Sequence, residues 1–363
     1  MHSAPAATGA EAISRLAFDQ APLACLAVPV VVTVLTGPDW SEQAGPLPWL
    51  VSLVLVGLPH GAADLAVSRT AWRGWRLVGV WCGYLAAMIV VTAGFTAAPT
   101  VTLALFACLS AWHFGHAETT TALWPQQPPG PAALASGCAV LAAPLCAWPA
   151  ETADVARRLL VLTAAGHAVS PEQVRVLGCL LGLLAVLAIG WTLLLGCRDR
   201  LPRTLGHVGL LAALGGLTHP LFSVGLSFLV WHAWRQMKPL AVEMTGAEPE
   251  SWRSLGAAVL RIHAAALPLL LPAWAALGTA WWAWSPTHSL GDLAILSIGG
   301  YLVVTPAHEL LGDLRPGASS LRRRGYCTTD LLPSVEPPIG APAGSGRPAV
   351  GMSSRWSSSR TCR

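Results

Sequence analysis

Charge is what this chain has least of. Asp, Glu, Lys and Arg make up 11% of its 363 residues, against 54% hydrophobic, and mean hydropathy is +0.56. Ordinary soluble domains carry about 25% charged residues, so a water-facing globule of this size lacks the polar groups to cover it. The net charge of +4 is small and scattered, which excludes a nucleic-acid binder, whose affinity rests on gathered cations. The nine cysteines contain no Cys-x-x-Cys pair, so neither a zinc knuckle nor a dithiol redox motif is present. Cys25, Cys82, Cys108, Cys138, Cys146, Cys179 and Cys197 lie in apolar stretches and read as small hydrophobes. No basic segment precedes the first apolar run, which therefore reads as a span and not as a cleavable signal.

Apolar runs are abundant instead. They cover residues 21–36, 47–67, 77–97, 99–114, 131–148, 176–197, 204–234, 262–284 and 290–311. A helix crosses a bilayer core with about 20 apolar residues, and these runs are too continuous for the alternating strands of a barrel. Residues 204–234 contain no Asp, Glu, Lys or Arg and are interrupted by Pro220. They read as two short helices meeting at Thr218-His219-Pro220. The expected fold is all-α, a polytopic transmembrane helical bundle of about 8–10 spans. It occupies residues 1–315; residues 316–363 are rich in Pro, Ser and Arg and read as a disordered tail.

The positive-inside rule orients the bundle. With the N-terminus inside, Arg69, Arg73 and Arg76, then Arg198, Arg200 and Arg203, then Arg235 and Lys238, and finally Arg322 to Arg324 all fall on the cytoplasmic side. The expectation is a multi-pass cell-membrane protein with both termini cytoplasmic. Residues 151–175 run against the rule, since Arg157 and Arg158 fall on the outer side.

Eleven histidines carry the chemistry, because an ionisable group inside a bilayer is by default functional, and a neutral imidazole is the commonest metal ligand. Under this orientation His60, His113, His232 and His308 reach a similar depth on the inner side of four separate helices. Convergent side chains on facing helices are how bundles build metal sites. His219 falls on the outer side, too far away to join them. Asp64 lies four residues after His60 and shares its helical face, where a carboxylate can hold the tautomer of a ligating histidine. His116 follows His113 by three and is a second such neighbour. Trp112, Phe114, Trp231 and Trp234 flank the histidines and are candidates to line a substrate tunnel. The other histidines read as interhelical hydrogen-bonders.

Four segments then resemble the Brp/Blh family of membrane β-carotene 15,15′-dioxygenases. They are Gly57-Leu58-Pro59-His60-Gly61-Ala62-x-Asp64, Trp112-His113-Phe114-Gly115, Thr218-His219-Pro220 through Gly225, Phe228 and Trp231-His232-x-x-Arg235, and Pro306-x-His308. The resemblance implies central cleavage of β-carotene by O2 to two molecules of all-trans-retinal, at a non-haem Fe(2+) held by histidines. It points to His60, His113 and His232 as iron ligands, with β-carotene, O2 and membrane lipid as partners and no nucleic acid. The family commonly has another histidine where this chain has Gln236, a poorer ligand. His308, chosen on depth, is the expected fourth ligand, with His116 next. Two alternatives stay open: a polytopic metal or small-molecule transporter, compatible with the break at Pro220, and a catalytically impaired family member, given Gln236. A di-iron desaturase needs adjacent histidine pairs, and the chain has none.

Overall fold

The computed structural model describes residues 9–119, 130–161, 169–195, 201–285 and 287–314. Every element among them is helical and no strand occurs. The long helices are α1 (Ala12–Thr36), α2 (Asp39–Ala71), α3 (Trp75–Ala97), α4 (Pro99–Thr119), α5 (Pro131–Ala147), α6 (Pro149–Val161), α7 (Pro171–Leu194) and α8 (Leu201–Leu217). After a break come α9 (Pro220–Leu226), a π-helical turn Ser227–Ala233 and α10 (Trp234–Thr245), then α11 (Trp252–Trp284) and α12 (Leu290–Leu314). The expected all-α polytopic bundle is what forms. Among the described residues, six helices are long and apolar enough to cross a membrane, or seven if the bent pair of α5 and α6 is one span. The sequence reading counts more crossings because it admits shorter apolar segments such as Pro99–Gly115. The proposed tail, 316–363, lies outside the described residues.

Breaks fall where the backbone chemistry puts them. Gly37, Gly74 and Gly246 adopt positive φ, which a Cβ disfavours, and they end α1, precede α3 and end α10. Ser170 with Gln173 and Ser251 with Ser254 form capping boxes at the starts of α7 and α11, satisfying amide donors the helices leave over. Residues 149–161, which take in both arginines read above on the outer side, are a helix bent 103° from α5. Arg157 pairs with Asp154 at 2.9 Å, and Arg158 pairs with Asp292 on α12. Both arginines that break the positive-inside pattern are thus locally compensated.

Close helix contact depends on glycine. A Cβ on Gly137 would overlap the Ala111 carbonyl, and one on Gly115 would overlap that of Ala133. α4 and α5 therefore pack backbone to backbone, as small residues allow in lipid, which fixes the height of His113 on α4. The backbone also widens into π-helical turns at Leu16–Gln20, Ser52–Val56 and Ser227–Ala233. Two of these turns give a carbonyl to an indole: Trp234 Nε1 donates to Ala17 O at 2.8 Å, and Trp274 Nε1 to Leu53 O at 3.0 Å. In a bilayer, backbone groups freed from a regular ladder must find such partners.

Candidate metal centre

Four histidines from four parts of the chain meet. His60 follows the π turn of α2, His113 lies in the C-terminal half of α4, His232 within the π turn after α9, and His308 late in α12. Ring centroids are 4.1 Å apart for His113 and His232, 4.9 Å for His60 and His308, and 5.9 Å for both His60–His232 and His113–His308. Metal–imidazole bonds of about 2.1 Å, as in zinc sites, put each ring centre about 3.2 Å from the ion. Rings at octahedral or tetrahedral angles then stand about 4.5 to 5.2 Å apart. The observed spacings bracket that range. As the side chains stand, no group of three or more His, Cys, Asp or Glu among the described residues is set to hold an ion. The rings are gathered, and their nitrogens are not yet aimed at one point.

The polar partners show how those nitrogens are assigned. His308 Nδ1 is bonded to Asp64 Oδ2 at 2.6 Å, and His113 Nδ1 to Glu309 Oε1. A carboxylate on Nδ1 fixes the proton there and leaves the lone pair on Nε2, which is the arrangement surrounding most metal-bound histidines. His232 is 2% exposed and its Nδ1 has no hydrogen-bond partner. An unsatisfied buried nitrogen is costly unless something coordinates it. A neutral-donor set, two orienting carboxylates and one orphaned nitrogen fit a divalent iron or similar ion.

Asp64 is thus bonded to a histidine 244 positions away, a pairing that no local spacing reveals. Glu309 is a site residue missed in the sequence. It directly follows His308 and turns to α4, so adjacent residues of α12 engage α2 and α4. The charge of Glu309 within an apolar run was the available signal. His116 cannot be placed, because its side chain lies outside the described residues.

The aromatics beside the histidines in the sequence pack in different places. Phe114 does meet the cluster, 5.5 Å from His232 and 6.2 Å from His113. Trp112 stands 46% exposed. Trp231 lies against His207 at 3.9 Å, and Trp234 stacks on Phe18. The aromatic wall beside the histidines is built by Phe228, Tyr301 and Trp49 with Phe114. Phe228 stacks on His232 at 5.6 Å and packs on Tyr301 at 4.6 Å and Trp49 at 5.8 Å. Two glycines admit this wall. A Cβ on Gly57 would come within 2.8 Å of Phe228 and 2.9 Å of the Tyr301 hydroxyl, and one on Gly225 within 2.6 Å of the Trp49 indole nitrogen. Trp49 also donates to Leu221 O at 2.7 Å, locking α2 to α9.

The remaining described histidines have structural partners. His219 caps α9 by accepting from the Leu221 amide at 3.3 Å, away from the four as expected. His207 bonds Ser136 at 3.2 Å, His263 donates to Val259 O at 2.8 Å, and His288 to Trp282 O at 3.1 Å. His2 and His167 lie outside the described residues.

No curated protein and no solved structure matches the chain. One family does: its profile, described as beta-carotene 15,15′-dioxygenase, matches residues 51–314. That stretch runs from the π turn ahead of His60 to the end of α12 and takes in all four clustered histidines. The chain therefore belongs to the beta-carotene 15,15′-dioxygenase family of enzymes.

Proposed function

We propose that this enzyme cleaves β-carotene centrally with O2, at an iron(II) ion held by His60, His113, His232 and His308, giving two molecules of all-trans-retinal. One observation carries the reading: four imidazoles from four distant segments gather in one place, two of them held at Nδ1 by carboxylates. The reaction balances without an outside reductant. The central 15,15′ double bond breaks, and each of its carbons takes one oxygen atom of the same O2.

When bound, iron supplies activation of O2. The chain supplies position. Asp64 and Glu309 keep protons on the Nδ1 atoms of His308 and His113, so each ring presents Nε2. Phe114, Phe228, Tyr301 and Trp49 form an apolar wall against which a rigid polyene lies, which restricts the double bond that reaches the centre and excludes water. No side chain is needed as an acid or base. Gln236 stands where the family commonly has a histidine, and His308 takes the fourth place. The protein sits in the cell membrane with both termini cytoplasmic, and its lipid-soluble substrate arrives through the bilayer.

Expression in carotene-accumulating cells tests this. The cells should lose their colour and gain retinal. Unchanged colour, with the folded protein present in the membrane, overturns the reading.

A further inference from the structure

His232 is held differently from His113 and His308. His113 and His308 have carboxylates on Nδ1, whereas His232 Nδ1 has no hydrogen-bond partner. Its placement rests on the backbone that carries it, a π-helical turn running into α10. That backbone is clasped from α1. The Phe18 ring stacks on Trp234 at 5.4 Å, Trp234 Nε1 donates to Ala17 O at 2.8 Å, and Ala17, Phe18, Ala233 and Met237 share one apolar cluster.

The charge at the centre of this clasp is Arg235. The positive-inside reading counts it among the cytoplasmic loop charges, yet it is 1% exposed. Its guanidinium lies 4.0 Å from the centre of the Trp231 ring, and Nη2 pairs with Asp19 Oδ1 at 3.8 Å. Asp19 is itself buried, in the π turn Leu16–Gln20. Arg235 follows His232 by three residues, at the junction where the π-helical turn runs into α10. Asp19 lies outside the residues that match the family, which begin at 51.

We infer that Asp19 is a positioning residue for the metal centre: through Arg235 it anchors the turn that aims His232. A buried guanidinium stays in place only if its charge is compensated. With the Asp19 carboxylate gone, α10 shifts to let water reach Arg235, and His232 moves with it. The inference rests on the metal reading proposed above.

The test uses the purified full chain, with Co(II) as a spectroscopic probe in place of iron. Wild type should bind one Co(II) with visible ligand-field bands. Asp19→Asn should weaken Co(II) binding about tenfold, the lower end of the loss when support of a ligand is removed, and change the bands. Asp19→Glu should stay close to wild type. Should Asp19→Asn fail to fold, Asp19→Asn/Arg235→Gln decides. It buries no unpaired charge, should unfold at near the wild-type temperature, and should still bind Co(II) about tenfold more weakly. Wild-type affinity and bands in these folded variants would reduce the Asp19–Arg235 pair to a structural contact and overturn the inference. Wild type that binds no Co(II) would overturn the metal reading, and this inference with it.

Discussion

Replacing the two carboxylates tests the centre without touching a ligand. Glu309→Gln and Asp64→Asn each leave an oxygen of the same shape facing Nδ1. What changes is the bond, from charge-assisted to neutral. Bonds to charged groups contribute about 1.5–3 kcal/mol and neutral ones about 0.5–1.5, a difference of about 1–1.5 kcal/mol, or up to about tenfold in iron affinity. The two should not be equal. The Asp64 side chain is 5% exposed and the Glu309 side chain 21%, and water screens an exposed group more. Glu309→Gln should therefore weaken iron binding somewhat less than tenfold, and Asp64→Asn tenfold or more. Metal-free stability should move the other way for Asp64, because Asn removes the cost of a buried carboxylate. The assay is iron competition against a calibrated chelator, with thermal unfolding of the metal-free chain alongside. Equal iron affinity in wild type and both variants would refute the claim that these carboxylates aim the rings. So would losses that merely follow falling unfolding temperatures.

Gly57→Ala should lower retinal formation and stability together, by about 1–3 kcal/mol of overpacking in thermal unfolding, because its Cβ meets the Ser52 hydroxyl, Phe228 and the Tyr301 hydroxyl; wild-type activity would show that the Ser52 hydroxyl and the wall yield freely. Gly137→Val should cost more than Gly57→Ala in the same assay, since it collides with the Ala111 backbone, which cannot rotate away. Gln236→His should change iron affinity by much less than the tenfold effect of losing a supporting group if His308 is the fourth ligand as proposed; a severalfold gain would remove His308 from the proposed ligand set. Phe228→Ala should raise KM for β-carotene and allow off-centre cleavage, read by product chromatography, while iron content holds; unchanged products would remove Phe228 from the substrate path.

The sequence carried the helical class plainly, because apolar run length reports membrane crossing almost directly. Depth counting from charged loops was enough to pick His60, His113, His232 and His308 as neighbours. It worked because each lies toward the same end of an apolar helix. Lateral facts were hidden. The π turns that carry His232 and precede His60 leave no signature in hydropathy. Glu309 went unread in the last apolar run, and Arg235 looked like a loop charge, although the first meets His113 and the second is buried against Trp231. Adjacency in the sequence did not decide where the tryptophans pack. A residue next to a histidine on a helix points about 100° away from it, so Trp112 faces outward while Phe228, four before His232, stacks on its ring.

Iron content of the protein purified without oxygen tests the central claim most directly. One iron per chain is predicted for wild type, lost when His60, His113 or His232 is replaced by Ala and at least weakened when His308 is. No iron in the folded wild type, or full iron in the His232→Ala chain, would contradict a centre built from these rings.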